Sequence, residues 1–196
     1  MGKYSPVDYL DKSLINTSNK AIFLDRDGTI HIDKVRTHRV IDLEYFDDTF
    51  KSIKRLYDLG YLIIIVTNQD GIRKGLYDSN TMSIFNRRII NDFNKHGIKI
   101  AAIYYSPYDV SDNHISFKPN PGMFLDAIED FKLDSNLCYM IGDQEHDSIA
   151  SKFANIKSVI VRTGIYNKPI DDSIVDDMII GVVDNLSMAV DLILKK

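Results

Sequence analysis

Several short stretches of the chain carry residues whose types and spacing could do chemistry on a phosphoryl group. Asp25-Arg26-Asp27-Gly28-Thr29 sets two carboxylates on either side of one residue. Thr67-Asn68-Gln69-Asp70-Gly71 offers a hydroxyl, amides and a further acid, Lys118 stands alone before a proline, and Asp143 and Asp147 lie one helical turn apart. Carboxylates gathered closely repel one another unless a cation sits among them, and a set of hard oxygens favours Mg²⁺ over a softer metal. A magnesium ion, a lysine, a threonine hydroxyl and backbone amides make a site for a phosphoryl group, whose transfer depends largely on positioning and charge stabilisation. Asp25 could then act as nucleophile, because a carboxylate can form an aspartyl-phosphate. Asp27 could protonate the leaving oxygen and later activate water. The residue between them lets the chain turn so that both carboxylates flank one phosphorus, Gly28 permits a sharp bend, and Thr29 can tie the turn by hydrogen bonding. Taken singly, Asp-Gly-Thr is an ordinary turn, Thr-Asn an ordinary strand end and Gly-Asp an ordinary helix cap. Their joint order is what points to chemistry. Asp147 reads equally as support for a metal ligand from behind or as a solvated residue.

Such residues must be brought together by the elements that precede them. Lys20–Asp25, Tyr61–Val66, Ile100–Tyr105, Leu137–Ile141 and Ser158–Val161 read as buried strands, with Met178–Ile180 as a sixth. Between them run helical stripes: Phe50, Ile53, Leu56 and Tyr57, stopped by Gly60; Met82, Phe85, Ile89 and Phe93, closed by Gly97; Phe124, Ala127, Ile128 and Phe131; Ile149, Ala150, Phe153 and Ala154; and a last helix over Leu186–Leu194. Asn120-Pro121 predicts a helix start with Asn as N-cap. Strands that are apolar on both faces and alternate with helices imply an α/β fold: a doubly wound, Rossmann-like, mostly parallel sheet with helices on both faces. In such sheets sites form beyond the carboxyl ends of the strands, where every candidate residue falls. The division read from the pattern is an N-terminal extension, 1–19, with one short helical turn, and a single domain over 20–196. Ile30–Tyr45 and Ser106–Lys118 are long enough to be functional loops.

Composition narrows the classes. The chain has 196 residues with 44% apolar and 27% charged, enough for one sizeable core and unlike a disordered chain. A net charge of −4 is the wrong sign for a generic nucleic-acid binder. One cysteine, Cys138, excludes an internal disulfide and a multi-thiolate metal site. The longest fully apolar run, Tyr61–Val66, cannot span a membrane, and the N-terminus has no apolar secretory core. The expectation is a cytoplasmic protein, a monomer or small homo-oligomer, with no membrane partner.

At this point the residues resemble the haloacid dehalogenase-like (HAD) superfamily of phosphatases. Asp25-Arg-Asp-Gly-Thr-Ile, Thr67-Asn-Gln-Asp-Gly-Ile, Ile103-Tyr-Tyr-Ser-Pro, Lys118-Pro-Asn-Pro-Gly-Met123, Gly142-Asp143 with Asp147, and Val161-Arg-Thr-Gly164 are similar to the branch of heptose 1,7-bisphosphate and histidinol-phosphate phosphatases. The resemblance covers about residues 20–195. It implies Asp25 as nucleophile, Asp27 as acid/base, Thr67 and Asn68 holding phosphoryl oxygens, and Lys118 neutralising charge. It implies Mg²⁺ held by Asp25, the backbone carbonyl of Asp27, and Asp143. It also implies no large cap domain, so that the two long loops meet the substrate.

Two departures bear on specificity and on zinc. Members often carry a zinc loop of cysteines and a histidine; here Ser106, Tyr108 and Ser116 stand at ligand positions and only His114 remains, so no structural zinc is expected. Phe117 replaces an arginine before the lysine, and Gln144 replaces a lysine, so positive charge for a second phosphate would come from Arg73 or Lys74 in Gly71-Ile-Arg-Lys-Gly75. The resemblance implies a Mg²⁺-dependent phosphomonoesterase acting on a small phosphorylated metabolite, most simply the 7-phosphate of heptose bisphosphate. The alternatives are histidinol phosphate or another small phosphomonoester, the 3′-phosphate of a nucleic-acid end, or a phosphate-responsive module without turnover.

Overall fold

The continuous apolar strands dictate a sheet covered on both sides, and that is what forms. The computed structural model describes residues 3–165 and 174–195. Its strands are β1 (Val7–Leu10), β2 (Ala21–Leu24), β3 (Leu62–Asn68), β4 (Ile100–Ser106), β5 (Tyr139–Gly142), β6 (Lys157–Val161) and β7 (Ile179–Val183). Its helices are α1 (Thr49–Asp58), α2 (Asp70–Arg73), α3 (Ser79–Lys95), α4 (Gly122–Phe131), α5 (Glu145–Phe153) and α6 (Leu186–Ile193). The strands form one seven-stranded sheet in the order β1-β4-β3-β2-β5-β6-β7. All pairs are parallel except β1 on β4. The doubly wound α/β expectation therefore holds.

Side chains alternate across each strand and build two cores. Ile22, Leu24, Ile63, Ile65, Ile141 and Val159 pack against α1, α3 and α6. Ala21, Phe23, Ile64, Val66 and Met140 pack against α4 and α5. Burying each large apolar side chain contributes about 1.5–3 kcal/mol, which is what holds β2 at the centre, fully enclosed. β2 has β3 on one side and β5 on the other, so the strand order reverses there and a crevice opens at the carboxyl ends of these three strands.

Three local expectations are corrected. The N-terminal segment carries its short helical turn (Lys12–Leu14), but also β1, which covers the open edge of β4; four mixed residues after Pro6 give almost no strand signal. Helix α4 starts one residue later than expected, with Pro121 at the cap position, and Asn120 spends its side chain on the His114 carbonyl (3.1 Å). In α5 the stripe of Ile149 and Phe153 faces outward, and Asp147, Ser148, Ala150 and Ser151 face in. Small inward side chains let the helix lie close to β5 and β6 and deliver Asp147 to the strand ends. Among the described residues no helix is long and apolar enough to cross a membrane.

Candidate active site

Each strand that ends at the crevice hands over a polar residue. β2 delivers Asp25, whose N–H donates to Ile141 of β5 (3.0 Å), so the residue is fixed before its side chain leaves the sheet. β3 delivers Thr67 and Asn68, β5 delivers Asp143, and Lys118 enters from the loop before α4. Lys118 is enclosed and donates to Asp25 Oδ1 (2.6 Å) and the Val66 carbonyl (2.9 Å), with Asp147 Oδ1 also at 2.6 Å. Asn68 grips the backbone of that lysine from both sides: its side-chain amide donates to the Lys118 carbonyl (3.1 Å) and its carbonyl accepts from the Lys118 N–H (3.0 Å). The side chain expected on a phosphoryl oxygen is thus committed to placing the lysine. Asp147, left open by the sequence, is completely buried and ion-paired.

The carboxylates sit against the electrostatic grain. Burial pushes Asp25 well above the usual carboxylate range; Lys118 opposes this, while Asp147, Asp143 and Asp27 add to it. Burial and then Asp147 push Asp143 up to about 7. Burial would raise Asp147 too, but Lys118 and His146 outweigh it and hold it below its ordinary value. Burial works to lower Lys118, yet Asp147 and Asp25 raise it on balance, so it stays an ammonium.

This donor set fits a divalent ion. Oxygens of Asp25, Asp143 and Asp147 lie within 4.8 Å of one another. Asp147 Oδ1 is buried and accepts no aligned hydrogen bond, although Lys118 and His146 lie beside it. Asp143 is steered by Thr29 Oγ1 (3.3 Å) and Gln144 Nε2 (2.7 Å). Its carboxylate also needs space: a Cβ on Gly28, whose φ is +84°, would come within 2.7 Å of Asp143 Oδ2, and one on Gly164 within 2.0 Å. Hard oxygens with excess negative charge suit Mg²⁺.

Asp27 is held differently. Arg26 Nε donates to its Oδ2 (2.9 Å) and an Arg26 terminal nitrogen to Oδ1 (3.2 Å), and Gln69 Nε2 donates to Oδ2 (2.9 Å) and to Thr67 Oγ1 (2.8 Å). His31 Nε2, buried and lowered in pKa chiefly by that burial, lies 3.4 Å from Oδ1. Arg26 and Gln69 were not singled out from the sequence, although each adjoins a motif residue. Nothing in a turn sequence says that an arginine will be 1% exposed.

Asp25, Asp27, Thr67, Asn68 and Asp143 line a cavity of about 240 Å³. Asp33, Arg36, Asp70, Tyr77, Phe117 and His146 complete much of its wall. Arg73, expected there, does not line it; its mostly exposed side chain faces Asp112 (3.4 Å). Arg36 does line it, and Asp70 grips it through two hydrogen bonds (2.8 and 2.9 Å). Lys74 pairs with Asp70 and Asp109. In the second long loop Ser106 and Ser116 hydroxyls meet at 3.0 Å, His114 Nδ1 meets Ser116 Oγ at 2.8 Å, and Tyr108 stacks on His114.

Comparison with known proteins adds four findings. A family described as HAD-hydrolase-like matches residues 117–189. D-glycero-beta-D-manno-heptose-1,7-bisphosphate 7-phosphatase of Pasteurella multocida is 35% identical over 160 residues, 78% of this chain and 85% of that one. The enzyme of the same description from Haemophilus influenzae is 32% identical over 176 residues, 85% of this chain and 94% of that one. The crystal structure of D,D-heptose 1.7-bisphosphate phosphatase from B. bronchiseptica, complexed with magnesium and phosphate, superposes with a TM-score of 0.81 at 24% identity, covering 90% of this chain and 98% of that one.

Proposed function

The chain belongs to the HAD-like phosphatases, in the family that includes the heptose-1,7-bisphosphate 7-phosphatases, and on that premise we propose that it hydrolyses the 7-phosphate of a heptose 1,7-bisphosphate. What carries the reading is that Asp25, Asp27 and Asp143 line one cavity while Lys118, enclosed behind it, pairs with Asp25. Asp25 attacks phosphorus, a bond from its carboxylate oxygen to phosphorus forms, and the bond to the sugar oxygen breaks. Asp27 hands its proton to that oxygen. Asp27 then takes a proton from water as the water attacks the aspartyl-phosphate, and inorganic phosphate leaves with Asp25 restored. Thr67 Oγ1 and Lys118 face the phosphoryl oxygens and offset their charge. Asp25, Asp143 and the Asp27 carbonyl would hold Mg²⁺, with Asp147 behind them, and the ion would supply further positive charge against the phosphoryl group.

The wall of the cavity supports a polyol with a second anion. Asp33 and Asp70 line it as carboxylates that could accept from substrate hydroxyls, and Arg36, held by Asp70, would offer a guanidinium where Phe117 and Gln144 offer no charge. The loop at 106–118 supports a zinc-independent fold, because hydroxyls and one imidazole are a poor donor set for Zn²⁺.

The test is phosphate release with Mg²⁺ from a panel holding heptose 1,7-bisphosphate, histidinol phosphate and a 3′-phosphorylated oligonucleotide. The bisphosphate is expected to be the best substrate, and Asp25→Asn to lower its turnover by ~10³-fold or more. A better rate on either other compound rejects the substrate, and an Asp25→Asn variant at the parent rate rejects the nucleophile.

A further inference from the structure

We propose that the N-terminal strand belongs to the catalytic apparatus: Asp8, acting through Asn86 and Arg26, holds the Asp27 carboxyl group where, once protonated, it can hand that proton to the leaving oxygen. The inference rests on Asp27 being the acid/base of the proposed function.

The register of β1 on β4 slips between Val7 and Tyr9. A slip of this kind re-aims a side chain, and here it sends Asp8 towards α3. There Asp8 accepts from the Ser83 hydroxyl and from Asn86 Nδ2 (2.9 Å). Asn86 is fully buried, and its Oδ1 accepts from Arg26 NH1 (2.9 Å). The other Arg26 donors go to Asp27, to Gln69 Oε1 (2.9 Å) and to the Thr37 carbonyl (3.1 Å), and the guanidinium lies over the Phe85 ring (4.7 Å).

The direction of these bonds gives Asp8 its role. A carboxylate only accepts, so it fixes which end of the Asn86 amide points at it. With Nδ2 on Asp8, Oδ1 must face Arg26. Without Asp8 the Asn86 Nδ2 would lose its acceptor, and the side chain would shift towards another, drawing Oδ1 away from the guanidinium. The cation would then lose its anchor opposite Asp27. The N-terminal segment is itself pinned, since Asp126 accepts from the N–H groups of Tyr4 (3.1 Å) and Ser5 (2.7 Å). Asp8 and Asn86 touch no reacting atom; they are positioning residues.

The experiment compares kcat/KM for the sugar phosphate and for p-nitrophenyl phosphate. This ratio reports only steps up to formation of the aspartyl-phosphate. An alkoxide needs a proton to leave and p-nitrophenolate does not, so a misplaced acid penalises the sugar phosphate selectively. Asp27→Asn should lower the sugar-to-aryl ratio by ~10²-fold, Asn86→Leu by ~10-fold and Asp8→Ala by several-fold. The Arg26 Nε–H should also exchange with solvent faster in Asp8→Ala. If the ratio moves in Asp27→Asn but stays within about two-fold of the parent in Asp8→Ala, or if both substrates slow equally, the relay is wrong. Asp8→Ala decides should Asn86→Leu fail to fold. A ratio unmoved in Asp27→Asn overturns the acid/base reading and the relay with it.

Discussion

Lys118 Nζ meets Asp147 Oδ1 at 2.6 Å, and both side chains are sealed from solvent. The same ammonium is 2.6 Å from Asp25 Oδ1, so one lysine pairs with two of three neighbouring carboxylates. Removing one partner of a buried pair costs ~3–5 kcal/mol. Lys118→Met should therefore lower the metal-free melting temperature by roughly 6–20 °C. Mg²⁺ should recover part of that loss. Equal losses with and without Mg²⁺, measured by calorimetry, would show that lysine and ion do not share the carboxylates.

Acidity should control metal binding. Burial and Asp147 push Asp143 up to about 7, against roughly 4 in an unfolded chain. The folded, metal-free protein thus holds a proton that the unfolded chain has lost, and this contribution to stability is full below about 4 and disappears as pH rises through about 7. Mg²⁺ requires the anion. Its stabilisation should grow with pH across that window, and its binding one pH unit below Asp143's value should release a proton. Calorimetric titration in buffers of different ionisation enthalpy measures both.

Gly164 has no room for a methyl group, since its Cβ would fall 2.0 Å from Asp143 Oδ2. The carboxylate would swing aside while the backbone stayed. Gly164→Ala should keep its circular-dichroism spectrum and lose about 10–100-fold in Mg²⁺ affinity.

Arg36 and the residue before it, Val35, both have left-handed backbones (φ 59° and 64°). For a β-branched residue that conformation is costly, and it places the guanidinium on the cavity wall. Arg36→Met should raise KM for a sugar bisphosphate by ~10-fold or more and leave KM for a monophosphate within about two-fold. Parallel changes would assign Arg36 to holding Asp70 alone.

The 106–118 loop should need no metal. The Ser106–Ser116–His114 contacts close it by hydrogen bonds. Protein purified without chelators should contain no stoichiometric zinc by elemental analysis, and a zinc-selective chelator should leave its Mg²⁺-supported activity unchanged.

Much of the fold was legible because it is encoded locally. Ala21–Leu24 and residues 62–66 are apolar on both faces, and only a sheet covered twice can bury such strands. That pattern places their ends together, so the partnership of Asp25, Thr67, Lys118 and Asp143 could be anticipated before any coordinates. Local pattern says little about what a polar side chain meets across the fold. Arg73 and Arg36 look alike as loop cations, yet only Arg36 lines the cavity, where Asp70 holds it through two hydrogen bonds. Phe153 follows a helical stripe but faces outward, because Asp147 must face in. The grip on Asp27 joins Asp8 to Asn86, 78 residues on, and Asn86 to Arg26, 60 residues back. The first of these hydrogen bonds exists only once β1 has docked on β4, and burial strengthens the second.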